Sequence, residues 1–263
     1  MPGLHYIARM RATLRLAALL AVPVLAIAGC GGSDDGSSSS ATPQERLKES
    51  AAALAKVKGF HFEGTGTDED GASELEGDAR ADGSLRIVLR QRGEAEVRTV
   101  GGKGYVRADK EYWTANADAK TAAVLADKWV VAPAETFGAA ELARFEPATL
   151  AYCLTKTEGA IKDGGEGEVD GTAVAIITSV GDAPGSSPGS ISIAAEGEAY
   201  PLRAIQEGPR KPGGTVDPRC EDEDDSTTKS DIKLSDFGAS EPIEAPADAI
   251  DLDSLKGGDD TTS

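Results

Sequence analysis

Apolar residues recur at helical spacing early in the chain and then alternate with polar ones over most of its length. Leu47, Ala51, Leu54 and Val57 share one helical face. Thr42 stands ahead of them as an N-cap, Pro43 suits the first helical position, and Glu45 completes a capping box. Lys56 and Lys58 suit the negative end of the helix dipole, and Gly59 is placed to take a left-handed cap. The pattern predicts a helix that opens at Pro43 and closes at Gly59.

The period then drops to two. Phe60 and Phe62 alternate with His61 and Glu63. Leu85, Ile87 and Leu89 alternate with Arg86, Val88 and Arg90. Ala95, Val97 and Thr99 alternate with Glu94, Glu96 and Arg98. Such runs are strands with one dry and one wet face. Asp70-Gly71, Asp82-Gly83, Arg92-Gly93 and Gly101-Gly102 mark turns between them. Residues 60–115 therefore read as an antiparallel meander of about six strands.

Alanine and leucine dominate residues 116–157. Ala122, Leu125 and Ala126 predict one short helix, Ala139 to Phe145 a second, and Pro147 to Leu154 a third. Lys128 to Ala132 reads as a short extended piece. Strands then resume, with Glu166 to Asp170 turning through Asp170-Gly171 into Ala173 to Val180. Ile191, Ile193 and Ala195 alternate, as do Tyr200, Leu202 and Ala204. Ala183 to Gly189 reads as a mobile loop, and Gly208 to Lys229 as a long polar loop holding Cys220. A last strand covers Asp231 to Phe237, and a Pro-rich extended tail runs to about Leu255. The sum is an α+β chain: one N-terminal helix, a long antiparallel sheet, and a short helical insert packed on its apolar face.

The first residues follow another logic. Arg9, Arg11 and Arg15 form a positive region, and the apolar run Leu16 to Ala28 follows. That run is shorter than the roughly 20 residues of a membrane-spanning helix. Ile27-Ala28-Gly29-Cys30 then reads as a lipobox, with Cys30 the lipidated first residue of the mature chain. An ordinary signal peptide or an uncleaved anchor is the alternative. This divides the chain into a lipoprotein signal peptide (1–29), a flexible tether (30–41), a folded domain (42–252) and a disordered tail (253–263).

The net charge of −18 sharpens that picture. The leader holds three arginines and no acid, so the mature chain is more acidic still. Such a domain repels nucleic acid and anionic headgroups, and only an acyl anchor, palmitate for example, would hold it at a membrane. Aromatic residues are 5% of the chain, so small aliphatic side chains must build most of the core. Apart from Cys30, the cysteines are Cys153 and Cys220. An even pair in an exported chain predicts a disulfide worth roughly 4 kcal/mol, with two free thiols the alternative.

Catalytic chemistry is poorly supplied. There are two histidines, of which His5 lies in the leader, and His61 falls on the wet side of its strand. No nucleophile elbow, phosphate loop or zinc spacing is present. The acidic run Glu221 to Asp225 lacks the glycine and spacing of an EF-hand loop and reads as a solvated loop. Asp68-Glu69-Asp70-Gly71 reads as a hairpin turn. No catalytic residue, cofactor or metal site is assigned.

A series of strings carries a resemblance. Val57-Lys58-Gly59-Phe60-His61-Phe62 leaves the helix, and Leu75-Glu76-Gly77-Asp78-Ala79 precedes Asp82-Gly83. Gly104-Tyr105-Val106 ends a strand pair that starts at Val97, followed by Tyr112-Trp113 and Lys128-Trp129-Val130. Val169-Asp170-Gly171-Thr172 enters a strand, Tyr200-Pro201-Leu202-Arg203 follows a glycine turn, and Leu234-Ser235-Asp236-Phe237-Gly238 precedes Pro242 to Pro246. In this order, residues 42–252 resemble the LolA-like lipoprotein-carrier superfamily, in particular exported lipoproteins of the LppX/LprG type. The resemblance implies a curved antiparallel sheet, a half-barrel, closed by helices around an apolar cavity for acyl chains. The polar loops at 181–190 and 208–230 and the cysteine pair depart from the pattern.

The resemblance also implies roles. Tyr112, Trp113 and Trp129 would line the cavity mouth, and Leu125, Leu142, Leu150 and Leu154 would form its lid; packing between sheet and helices is the alternative for each. The function implied is a membrane-anchored, non-enzymatic lipoprotein binding or carrying a lipid in an apolar cavity. Its partners would be lipid or lipoprotein acyl chains and the membrane, with no nucleic acid, and the chain would be a monomer. Members with filled cavities also exist, so an anchored structural or interaction platform with a filled core is the alternative.

Overall fold

The computed structural model describes residues 41–138, 142–156, 159–214, 217–220, 227–238 and 241–256. Cys30, its leader and most of the tether lie outside these residues, as do 139–141, the acidic run at 221–226 and the last residues, 257–263.

Helix α1 (Pro43–Leu54) begins as its sequence dictates. The Thr42 hydroxyl accepts from the Glu45 N–H, and the Glu45 carboxylate accepts from the Thr42 N–H at 2.7 Å. Its C-terminal end departs from expectation. The cap is Ala55 in the right-handed conformation, and Gly59 opens the first strand instead. Gly59 pairs with Arg80 on one side, and its carbonyl accepts from the Gly238 N–H. Pairing with β2 on one side and the hydrogen bond from Gly238 on the other outcompete a helix cap at this residue.

Strands β1 (Gly59–Asp68), β2 (Gly71–Arg80), β3 (Leu85–Gln91), β4 (Gly93–Val100) and β5 (Lys103–Ala108) form the predicted meander, reversing at the four predicted turns. The expected sixth strand before residue 115 is instead helix α2 (Lys110–Asn116). Asp109 makes the switch. One carboxylate oxygen accepts from the Tyr112 N–H at 2.7 Å, and the other accepts from the Glu94 N–H at 2.9 Å. Helix α3 (Ala119–Leu125) follows, then β6 (Trp129–Pro133), 3₁₀ turns at Ala134–Phe137 and Ala143–Phe145, and α4 (Pro147–Leu154).

The second half adds β7 (Ile161–Val169), β8 (Thr172–Val180), β9 (Pro188–Ala194), β10 (Pro201–Gln206) and β11 (Lys229–Ser235), then β12 (Ile250–Asp251) and α5 (Leu252–Lys256). The segment 183–189, expected as a mobile loop, is tied down. Its Gly185 N–H donates to the Lys211 carbonyl, and the Lys211 N–H donates to the Ser186 carbonyl, both at 2.8 Å.

All strands join one twelve-stranded sheet in the order β12-β6-β5-β4-β3-β2-β1-β11-β10-β9-β8-β7. Every pairing is antiparallel except β12 with β6. The sheet is a curved half-barrel, open at both edges. The β7 edge is exposed over most of its length and carries Lys162, Asp163, Glu166 and Glu168 beside a bulge, features that discourage edge-to-edge pairing. The β6 edge is covered by β12. The segment leading there is held to the strands it passes, with Arg80 donating to the Glu241 carbonyl and Arg98 to the Glu244 carbonyl.

Strand alternation divides the sheet into two faces. Phe60, Phe62, Leu75, Ile87, Val97, Val106, Val130, Ile191 and Ile232 point inward to one apolar cluster. At Gly77 an added Cβ would lie 2.3 Å from the Arg86 carbonyl oxygen and 2.6 Å from the Phe62 ring. Only glycine leaves room for the Phe62 ring at this position.

Candidate apolar binding site between sheet and cover

The inner face is covered by short pieces rather than one long helix: α1, α2, α3, the two 3₁₀ turns and α4. Each contributes to the apolar cluster. Leu47, Ala51 and Leu54 come from α1, Tyr112 and Trp113 from α2, Ala122 and Leu125 from α3, and Ala151 and Leu154 from α4. α1 also packs along α4. Several pieces carry their own start signal, such as Asp109 for α2 and Asp118, which accepts from the Thr121 N–H at 2.8 Å, for α3.

Five of the proposed lining residues meet in this space, Tyr112 among them. Trp113, Leu125, Leu142 and Leu154 are buried together, and Leu150 is half-buried against the same cluster. Trp129 does not join them. Period-two alternation along β6 sends Val130 and Ala132 inward and Trp129 to the other face. There its ring lies beneath the guanidiniums of Arg98 and Arg107, at 4.8 and 5.1 Å.

Two phenylalanines in this space, Phe137 and Phe145, carried no lining role from sequence. Phe145 stacks on Phe62, centroids 4.4 Å apart. Phe137 is buried against β5, where Gly104 leaves room for its ring. Phe137 and Phe145 sit in 3₁₀ turns too short to show a hydrophobic period, so alternation and helical spacing could not find them.

The cover is fastened at α4. Cys153 and Cys220 form the predicted disulfide across 67 positions, tying the end of α4 to the loop between β10 and β11. Beside it the Tyr152 hydroxyl donates to Asp217 at 2.8 Å, and Arg219 reaches both partners while its guanidinium stacks 3.9 Å over the Tyr152 ring. Hydrogen bonds from Arg219 first, then Tyr152, hold the Asp217 carboxyl well below the usual range.

The outer face of the sheet is polar. Glu96 sits at its centre, its side chain 8% exposed, within 2.9 Å of Arg86, Arg98 and Arg107. Burial pushes its carboxyl up, but hydrogen bonds from Arg98 and Arg86 and their charges outweigh this and hold it below the usual value. His61 also lies here, its Nδ1 2.9 Å from Asp78. The segment 68–71 is the β1–β2 turn, with the Asp70 N–H donating to Asp68. Among the described residues no group of His, Cys, Asp or Glu side chains is placed to hold a metal ion, and no helix is long and apolar enough to cross a membrane.

No family model and no curated protein matches the chain. Among solved structures, it is similar to LprF from Mycobacterium bovis, at 14% identity and a TM-score of 0.49, covering 79% of this chain and 97% of that one. It is similar to the lipoprotein LppX from Mycobacterium tuberculosis at 16% identity and a TM-score of 0.48, covering 77% and 98%. A LolA superfamily protein from Nitrosomonas europaea aligns over 78% and 96% at 7% identity and a TM-score of 0.26.

Proposed function

We propose that this chain is a membrane-anchored, extracytoplasmic lipoprotein that holds a lipid or lipoprotein acyl chain between its sheet and helical cover, without catalysis. One observation carries this reading: the continuous apolar inner face is covered by short pieces, three of which, α1, α2 and α3, carry their own side-chain cap. Such pieces can lift singly and expose a strip of apolar floor, whereas one long helix would have to leave as a unit. Each acyl methylene that moves from water to that floor gains about 0.8 kcal/mol, so a long chain offsets the loss of packing between cover and sheet.

The leader and Cys30 complete the reading. The acidic domain is repelled by anionic lipid surfaces, and an acylated Cys30 on its tether keeps the domain within reach of the bilayer. The same charge opposes binding to nucleic acid, and the chain acts as a monomer.

A second reading is an anchored interaction platform with a filled core. The Phe62–Phe145 stack and the burial of Phe137 favour it, because these rings occupy space between floor and cover. Native mass spectrometry of the protein purified from membranes, followed by solvent extraction, separates the two. A stoichiometric non-covalent lipid supports the carrier, and a bare mass in every membrane extract supports the platform.

A further inference from the structure

The cover hides polar atoms that it does not pair. Ser50 Oγ on α1, Trp113 Nε1 on α2 and Arg144 Nε in the 3₁₀ turn at Ala143–Phe145 are all buried without a hydrogen-bond partner among the described residues. Arg144 has further nitrogens and the Ser50 hydroxyl can rotate, but the indole of Trp113 has one polar atom and one direction. Trp113 is 4% exposed and belongs to the apolar cluster beneath the cover. Its neighbour Tyr112 meets it edge-on, at 5.9 Å between ring centroids, and the Trp113 ring is held in place by that packing.

A buried N–H without an acceptor is costly, and native folds rarely keep one. Phenylalanine would fill an apolar site without that penalty. A bound molecule that brings an oxygen to the cover would satisfy the donor at Trp113. Hydrocarbon alone brings none, whereas an ester-linked acyl chain brings a carbonyl oxygen beside its first methylenes.

We propose that Trp113 Nε1 donates to the ester carbonyl of a bound acyl lipid, so that the site selects ester-linked acyl chains over ether-linked alkyl chains. This rests on the carrier reading and names the ligand group it recognises. An acceptor-free ligand leaves the indole N–H unpaired, and discrimination by one buried hydrogen bond is about tenfold in affinity.

The full chain in detergent would be titrated, with native mass spectrometry as readout, against dioleoyl phosphatidylcholine and its dialkyl ether analogue. The covalent anchor adds a fixed mass and leaves the count of bound lipid unaffected. The expected result is about tenfold tighter binding of the ester lipid, falling to near equality in Trp113→Phe. In parallel, the chain has two tryptophans and so two indole N–H resonances. The ester lipid would shift that of Trp113 and leave that of Trp129 in place. Equal binding of both lipids by the unaltered chain, or discrimination that survives in Trp113→Phe, overturns the assignment of Trp113 while leaving the carrier reading intact. Binding of neither lipid overturns the carrier reading, and the assignment with it. The comparison on the unaltered chain stands even if the variant does not fold.

Discussion

Phe62 on the first strand and Phe145 in the cover stack face to face, their rings 4.4 Å apart and 15° from parallel. The pair fastens the floor to its cover at a point where β2 supplies only a glycine, Gly77, beneath the Phe62 ring. Phe145→Ala removes one ring and leaves the other buried over a gap. The expected cost is about 2 kcal/mol, seen as a lower urea midpoint with an unchanged slope. On the carrier reading the same variant takes up and releases an acyl probe faster.

Gly77 itself gives a sharper test of floor geometry. Alanine there places a methyl group 2.3 Å from the Arg86 carbonyl oxygen, a backbone atom that cannot step aside. Gly77→Ala should destabilise the domain by about 2 kcal/mol or more, and pairing it with Phe62→Ala should not restore the loss, because the clash is with backbone. Thermal melting of the single and double variants checks this.

The bond between Cys153 and Cys220 closes a 67-residue loop. Losing it should cost about 4 kcal/mol, mostly by freeing the unfolded chain. Cys153→Ser, Cys220→Ser and the double variant should melt at the same temperature, since each lacks the same bond.

Glu96 links stability to pH. Its carboxyl is held below the ordinary value in the folded chain, so the unfolded state takes up the proton first as pH falls. Its contribution is fully present above the ordinary carboxylate range and is lost as pH drops through the folded value. Glu96→Gln leaves Arg86, Arg98 and Arg107 around a neutral group. It should cost about 2 kcal/mol at pH 7 and flatten the decline in urea midpoint between pH 5 and pH 3.

Much of this architecture was legible in the chain, for reasons that also mark the limits. Period-two runs such as Leu85-Ile87-Leu89 and turn pairs such as Asp70-Gly71 are local signals, and the meander followed from them. Helix α2 was hidden because seven residues show no clear period and because Asp109 is fixed by Glu94, a residue on another strand. The face of Trp129 was legible, since Val130 and Ala132 alternate with it as the inward pair, yet its size drew it into the proposed lining. The contact of Phe62 with Phe145 joins a strand to a 3₁₀ turn far along the sequence, and no local pattern encodes it. The cysteine pair was legible as a pair, but only the fold brings its Cα atoms to 5.4 Å.

In the carrier reading an acyl chain lies between the sheet and its cover. Photocrosslinking tests it most directly, using a phosphatidylcholine with a diazirine midway along one acyl chain and mapping the adducts by peptide mass spectrometry. Adducts are expected on inner-face and cover residues such as Ile87, Phe137 and Leu142. Adducts confined to outer-face residues such as Val88 and His61, or none above a denatured control, would contradict that reading.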